Sequence, residues 1–143
     1  MAAFRAPPTG VGVRCDVSRS AACRLALDAV FVPTTFASPA VDWHYDPGRP
    51  GVTVAVLRFG GEEQRLRLEV DAAGRLQSVI ATRWSNPLGE QWNFHLFGGV
   101  LSQEATFEGI TIPTVMHAGY FPGTDQWAEG EFFRARITGA SYR

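Results

Sequence analysis

The chain has 143 residues, of which 45% are hydrophobic and 19% charged, and its net charge at pH 7 is −1. This length and composition predict one globular domain with a sizeable core and exclude an intrinsically disordered chain. The balanced charge offers no basic patch for nucleic acid. All 13 basic residues are Arg, so neither a Schiff-base lysine nor the lysine of a phosphate-binding P-loop can occur.

The first 17 residues contain two adjacent prolines and two glycines, which predicts an extended arm before one domain at residues 18–143. No run reaches the roughly 20 apolar residues that span a bilayer, and the N-terminus lacks the apolar stretch of a signal peptide. We therefore expect a cytoplasmic protein that does not insert into membranes. Cys15 and Cys23 are expected to be free thiols, because a reducing cytosol disfavours a disulfide.

One helix is predicted, over residues 18–32. Ser18 or Ser20 could cap its start, because a side-chain oxygen there accepts a free backbone N–H. Apolar residues follow at spacings of three and four, as on the buried side of a helix. Pro33 should end it, because the residue before a proline is pushed out of the helical region.

Short strands separated by turn signals fill the rest of the chain. The clearest is residues 63–70, where apolar and charged residues alternate as in a half-buried strand. Gly60-Gly61 and Gly98-Gly99 read as hairpin glycines. The predicted strands are residues 41–45, 52–59, 63–70, 76–84, 91–97, 101–108, 110–121 and 126–138.

Sequential strands with short turns predict an antiparallel meander, and one preceding helix suggests a curved sheet wrapped around it. The predicted fold is thus α+β: a half-barrel or open barrel of seven or eight strands with one N-terminal helix packed on it. A curved sheet of this kind often leaves a cavity beside the helix.

Several motifs resemble a bacterial family known only as a domain of unknown function. These are Arg83-Trp84, the F-G-G run at 97–99, T-F-E-G-I-T-I-P-T at 106–114 and the closing E-F-F-R-A-R-I-T-G-A-S-Y. The V-P-T turn at 32–34 and the strand with Trp43 also match, so the resemblance covers residues 22–142. It implies a half-barrel similar to those of lipoprotein carriers and of a pigment-pathway enzyme that rearranges an indole intermediate. This is a likeness of fold and carries over no catalytic residue.

Three charged or titratable residues are candidate catalytic groups. His117 lies in a strand beside Gly119, which permits close approach of a ligand or of another backbone. Arg83 could bind a carboxylate or an enolate oxygen, or could pair with Glu104 or Glu131. Glu131 shares one strand face with Phe133 and so could approach a cavity mouth, where desolvation would raise its pKa, or it could pair with an arginine or simply face solvent. The sequence leaves open which sheet face His117 occupies.

Seventeen aromatic residues suggest an apolar pocket. No metal site or cofactor motif is expected, because histidines fall on separate strands and no signature of phosphate or dinucleotide binding is present. The candidate ligand-binding residues are Trp43, Trp84, Phe94, Tyr120, Trp127 and Phe133.

Three functional hypotheses follow. The first is a half-barrel that binds an apolar or aromatic small molecule. The second is a cofactor-independent enzyme of specialised metabolism, a cyclase, isomerase or hydrolase, that uses Arg83, His117 and Glu131. The third is a structural or interaction module that forms a homodimer through exposed sheet edges or through the N-terminal arm, which could accompany either of the others.

Overall fold

The computed structural model describes residues 11–143, with side chains from residue 16 onward. Helix α1 spans Val11–Asp28 and continues into two 3-10 turns, Ala29–Phe31 and Pro33–Ala37. A four-residue helix, α2, spans Trp127–Gly130. The strands are β1 (Asp42–Tyr45), β2 (Val52–Phe59), β3 (Glu62–Val70), β4 (Leu76–Ser85), β5 (Asn93–Phe107), β6 (Ile110–Tyr120) and β7 (Glu131–Arg136).

The seven strands form one antiparallel sheet in sequential order, with β1 and β7 at its two edges. The sheet is therefore open, and the predicted α+β class with one N-terminal helix is confirmed. Two of its hairpins turn on paired residues with positive φ, Gly60-Gly61 and Glu108-Gly109. Such turns match the twist of the flanking strands.

Helix α1 covers one face of the sheet, here called the helix face; the opposite side is the outer face. Cys23, Ala26, Leu27 and Val30 pack against inward side chains of β2 to β5, among them the fully buried Leu66. Spacings of three and four place these helix residues on one side, as predicted. No helix in the described part of the chain is long and apolar enough to cross a bilayer.

The helix lies where β3 and β4 separate. These strands pair only from Arg67 opposite Ile80 to Val70 opposite Leu76, although β4 continues to Ser85. Beyond Ile80, helix α1 contacts β4 in place of β3. The Cys23 thiol donates to the carbonyl oxygen of Thr82 over 3.7 Å, and Arg83 Nε donates to Ser20 Oγ over 3.0 Å.

The predicted helix bounds require correction. The helix begins at Val11, so residues 11–17, expected in the extended arm, are helical, and residues 1–10 lie outside the described residues. Ser18 and Ser20 are interior positions and not caps. The helix can extend back to Val11 in spite of Gly12, because no proline lies between Pro8 and Pro33. It ends before Pro33 in 3-10 turns, since residues 29–31 are no longer α-helical.

Two strand predictions are also wrong. Residues 91–97 and 101–108 belong to one long strand, β5, because Gly98 and Gly99 lie inside it and not in a turn. A Cβ on Gly98 would lie 2.0 Å from the Val79 carbonyl oxygen, so glycine permits close contact with β4. The last predicted strand begins later, at Glu131, because Trp127–Gly130 forms α2.

Candidate functional site

A pocket of about 620 Å³ lies beside the end of β6, and we call it the β6–β7 pocket. Three segments enclose it: the β4–β5 loop, the end of β6 with α2, and the start of β7. Its walls combine aromatic rings with two carboxylates and one amide. The lining residues are Pro87, Leu88, Tyr120, Phe121, Asp125, Gln126, Glu129, Gly130 and Phe132.

The chain turns sharply to form this pocket. Phe121 has a φ of +60°, a left-handed conformation that is rare and strained for a bulky residue. Its N–H donates to the Leu96 carbonyl oxygen over 2.9 Å, and its own carbonyl oxygen accepts from Thr124 Oγ1 over 2.8 Å. These bonds hold the Phe121 ring at the pocket wall. The strain marks the segment as a candidate functional element.

Close backbone contact positions α2 against β6. A Cβ on Gly119 would lie 2.2 Å from the Gly130 carbonyl oxygen, and one on Gly130 would lie 2.1 Å from the Tyr120 carbonyl oxygen. Only glycine lets the two segments meet at this distance. Gly119 therefore permits the approach of another backbone, one of the two possibilities that the sequence raised.

An aromatic cluster on the helix face supports the pocket. The centroids of Tyr120 and Phe97 are 4.9 Å apart, and Phe132 lies 6.0 Å from Tyr120 and 6.2 Å from Phe97. Arg83 Cζ lies 4.6 Å from the centroid of Phe97. Among the described residues, no carboxylate pairs with Arg83, and residues 1–10 contain no Asp or Glu. The interpretation of Arg83 as a partner of Glu104 or Glu131 is therefore wrong.

His117 points away from the helix. Its neighbours Met116 and Ala118 lie on the helix face, and strand alternation places His117 on the outer face. There His117 Nδ1 lies 3.2 Å from Glu131 Oε1, and Arg134 Nε donates to the same oxygen. The pair is partly accessible, with side-chain exposures of 40% for His117 and 14% for Glu131.

The pKa of the Glu131 carboxyl is lowered from its ordinary value. The hydrogen bond from Arg134 is the largest cause; partial desolvation opposes it, and the charges of Arg134 and His117 lower the pKa further. Glu131 is therefore held as a carboxylate. The raised pKa that the sequence suggested for a residue at a cavity mouth does not occur.

The three candidate catalytic residues do not converge on one site. Arg83 lies on the helix face, whereas His117 and Glu131 meet on the outer face. A bulge between β6 and β7 places Glu131 opposite Gly119 and Phe133 opposite Ala118, so the two lie on different faces. The extra residue of a bulge reverses the alternation of side chains along the strand. The prediction that Glu131 and Phe133 share a face is therefore wrong.

The candidate ligand-binding aromatics are also dispersed. Trp84 and Phe94 stack edge to face at 5.1 Å on the outer face, and Trp43 packs at 5.9 Å from Phe36 on the edge strand β1. At about 4.8 Å per strand, β1 is roughly 29 Å along the sheet from β7, which carries Phe133. Of the six, only Tyr120 lines the β6–β7 pocket.

Phe121 and Phe132 line the pocket but were not among the candidate site residues. The signal was the run Y-F-P-G-T-D-Q-W, whose turn residues interrupt a strand pattern with polar and aromatic side chains. Turns that carry such residues often form binding sites on a rigid scaffold. In the described part of the chain, no three His, Cys, Asp or Glu side chains converge as metal ligands would.

An open antiparallel sheet with one packed helix, and a pocket where two strands join, define an α+β protein with a candidate small-molecule site. The chain belongs to a family of unknown function, DUF6544, whose model matches residues 14–132. The family of unknown function expected from the motifs is thereby confirmed. No curated protein and no solved structure matches the chain.

Proposed function

We propose that the protein binds an apolar or aromatic small molecule in the β6–β7 pocket. The observation that carries this proposal is the pocket itself, with about 620 Å³ and three aromatic side chains in its walls. Small-molecule sites have volumes of roughly 300–1,000 Å³ and are lined mainly by apolar groups with a few polar ones. The strained Phe121 backbone in the same wall supports a role beyond folding.

Phe132 is the side chain through which to test this site. It is 63% exposed, so its removal should leave the fold intact, yet its ring forms part of the pocket wall. Phe94 is a matched control, because it is 51% exposed and lines a different pocket, beside Arg19, and not the β6–β7 pocket. The experiment is a thermal-shift screen of the wild type against apolar and aromatic metabolites.

Compounds that stabilise the wild type are then titrated into the Phe132→Ala and Phe94→Ala variants. We expect Phe132→Ala to weaken binding by about tenfold or more, as loss of a buried aromatic contact does, and Phe94→Ala to bind like the wild type. Weaker binding by Phe94→Ala alone would move the site to the pocket that Phe94 lines with Arg19. A broad library without a single stabilising compound would refute the proposal.

A second candidate function is cofactor-independent acid/base catalysis at His117 and Glu131. The contact that favours it is Glu131 Oε1 at 3.2 Å from His117 Nδ1, because a carboxylate at one ring nitrogen orients the imidazole and leaves Nε2 to exchange a proton with a substrate. Cyclisation, isomerisation and hydrolysis all need such a transfer. A depression of about 400 Å³ adjoins Glu131 and Phe133, and Phe132 of the β6–β7 pocket borders it as well.

Turnover by His117→Ala, Glu131→Gln and Arg83→Met tests this candidate. We expect the first two variants to lose about 100-fold or more in rate, the usual contribution of one acid/base group. Arg83→Met should retain activity because its side chain is on the other face. Full turnover by His117→Ala would exclude the mechanism. The cytoplasmic location and the absence of a cofactor stay predictions.

A further inference from the structure

The charged groups of the β6–β7 pocket are both acidic. Asp125 and Glu129 are lining residues, and among the described side chains no Arg or His lines the pocket with them. Neither carboxylate forms an ion pair or accepts a side-chain hydrogen bond within residues 16–143. Within that part of the chain, the protein therefore supplies no cation to either negative charge.

The aromatic walls, like the two carboxylates, favour a positively charged ligand. The face of an aromatic ring carries partial negative charge and attracts a cation placed over it. Tyr120 lies 6.0 Å from Phe132 and 6.1 Å from Phe121, so three rings stand together at the pocket. Arg83 stacks on Phe97 and hydrogen bonds to Ser20, and it does not line the pocket.

We propose that the ligand of the β6–β7 pocket carries a positive charge, as an amine or a quaternary ammonium, next to its apolar body. This inference rests on the proposed binding function and specifies the class of ligand. The apolar body contacts Leu88 and Pro87, while the cation lies against the rings and within reach of the carboxylates. An anionic ligand of the same shape is repelled by Asp125 and Glu129.

Two isosteric phenols test the charge alone. The trimethylammonium group of 3-hydroxyphenyltrimethylammonium and the tert-butyl group of 3-tert-butylphenol have the same shape, and 3-hydroxybenzoate serves as an anionic comparator. Each compound is titrated into the protein at low ionic strength and followed by protein NMR. We expect the cation to bind at least about fivefold more tightly than the neutral isostere, as exposed cation–π contacts and two nearby carboxylates imply.

The double variant Asp125→Asn/Glu129→Gln should lose most of this preference while its affinity for 3-tert-butylphenol is unchanged. The matched control is Asp42→Asn/Glu104→Gln, which removes the same net charge at two exposed residues outside the pocket and should keep the preference.

Equal binding of the two isosteres, tighter binding of 3-hydroxybenzoate, or no binding of the cation at millimolar concentration would overturn the inference. In each case binding of an uncharged ligand that depends on Phe132 would leave the proposed function standing. Loss of the preference in both double variants alike would also overturn it, because the effect would then come from net charge.

Discussion

The contact between Gly119 and Gly130 gives the sharpest test of how the candidate site is built. In Gly119→Ala the new Cβ would lie 2.2 Å from the Gly130 carbonyl oxygen and 2.7 Å from Glu131 Cα. Because both neighbours are backbone atoms, α2 and the start of β7 must retreat by roughly 1 Å to reach an ordinary contact. Overpacking of this kind costs about 1–3 kcal/mol of folding free energy.

Urea unfolding of the variant measures this cost. Gly139→Ala is the control, since no heavy atom lies within 4 Å of its new Cβ and neither glycine has a positive φ. We expect Gly139→Ala to stay within about 0.5 kcal/mol of the wild type. If Gly119→Ala were equally stable, the close approach of β6 and α2 would not exist in solution.

Four further outcomes follow from the structure. Leu66→Ala should cost about 2–5 kcal/mol, whereas Leu25→Ala, which is exposed, should cost under about 1 kcal/mol in the same urea assay. Burial raises the pKa of the Cys23 thiol to about 11, so in a variant with the other cysteine replaced by serine, iodoacetamide should not label the folded protein at pH 8 and should label it in urea. Because Arg134 lowers the pKa of Glu131 below 4.5, Glu131 contributes stability above that pH; the destabilisation by Glu131→Gln should be full at neutral pH and vanish as the pH falls through the lowered pKa, and a difference that grows in acid would contradict the pairing. Homodimerisation through the sheet edges predicts a solution-scattering mass of twice 15.6 kDa, and a monomer mass would reject it.

Local patterns were sufficient for most of the fold. Alternation in β3 correctly placed Leu66 and Leu68 on the buried side, since period two is a property of the strand itself. Gly60-Gly61 marked a hairpin because its positive φ values are also local. The strand order followed from short connections, which leave little choice but a meander.

The failures arose where a residue's role depends on a distant neighbour. Gly98 resembles the hairpin glycines in sequence, but glycine is needed there because the backbone packs closely against Val79 on β4. The faces of Glu131 and Phe133 were wrong because a bulge depends on how β6 and β7 meet. Ser20 had the chemistry of a cap but bonds to Arg83, 63 residues away.

The sites of the two candidate functions lie on opposite sides of the β6–β7 strand pair, and they adjoin at Gly130 and Glu131. Gly130 lines the β6–β7 pocket, and the next residue, Glu131, contacts His117 on the outer face. A substitution at Gly119 displaces both, so its effect on binding or turnover cannot assign the function. Phe132 also adjoins the depression beside Glu131, so the variants that each alter one site only are Leu88→Ala in the pocket wall and His117→Ala on the outer face. Their separate effects on ligand affinity and turnover therefore decide between a binding protein and an enzyme.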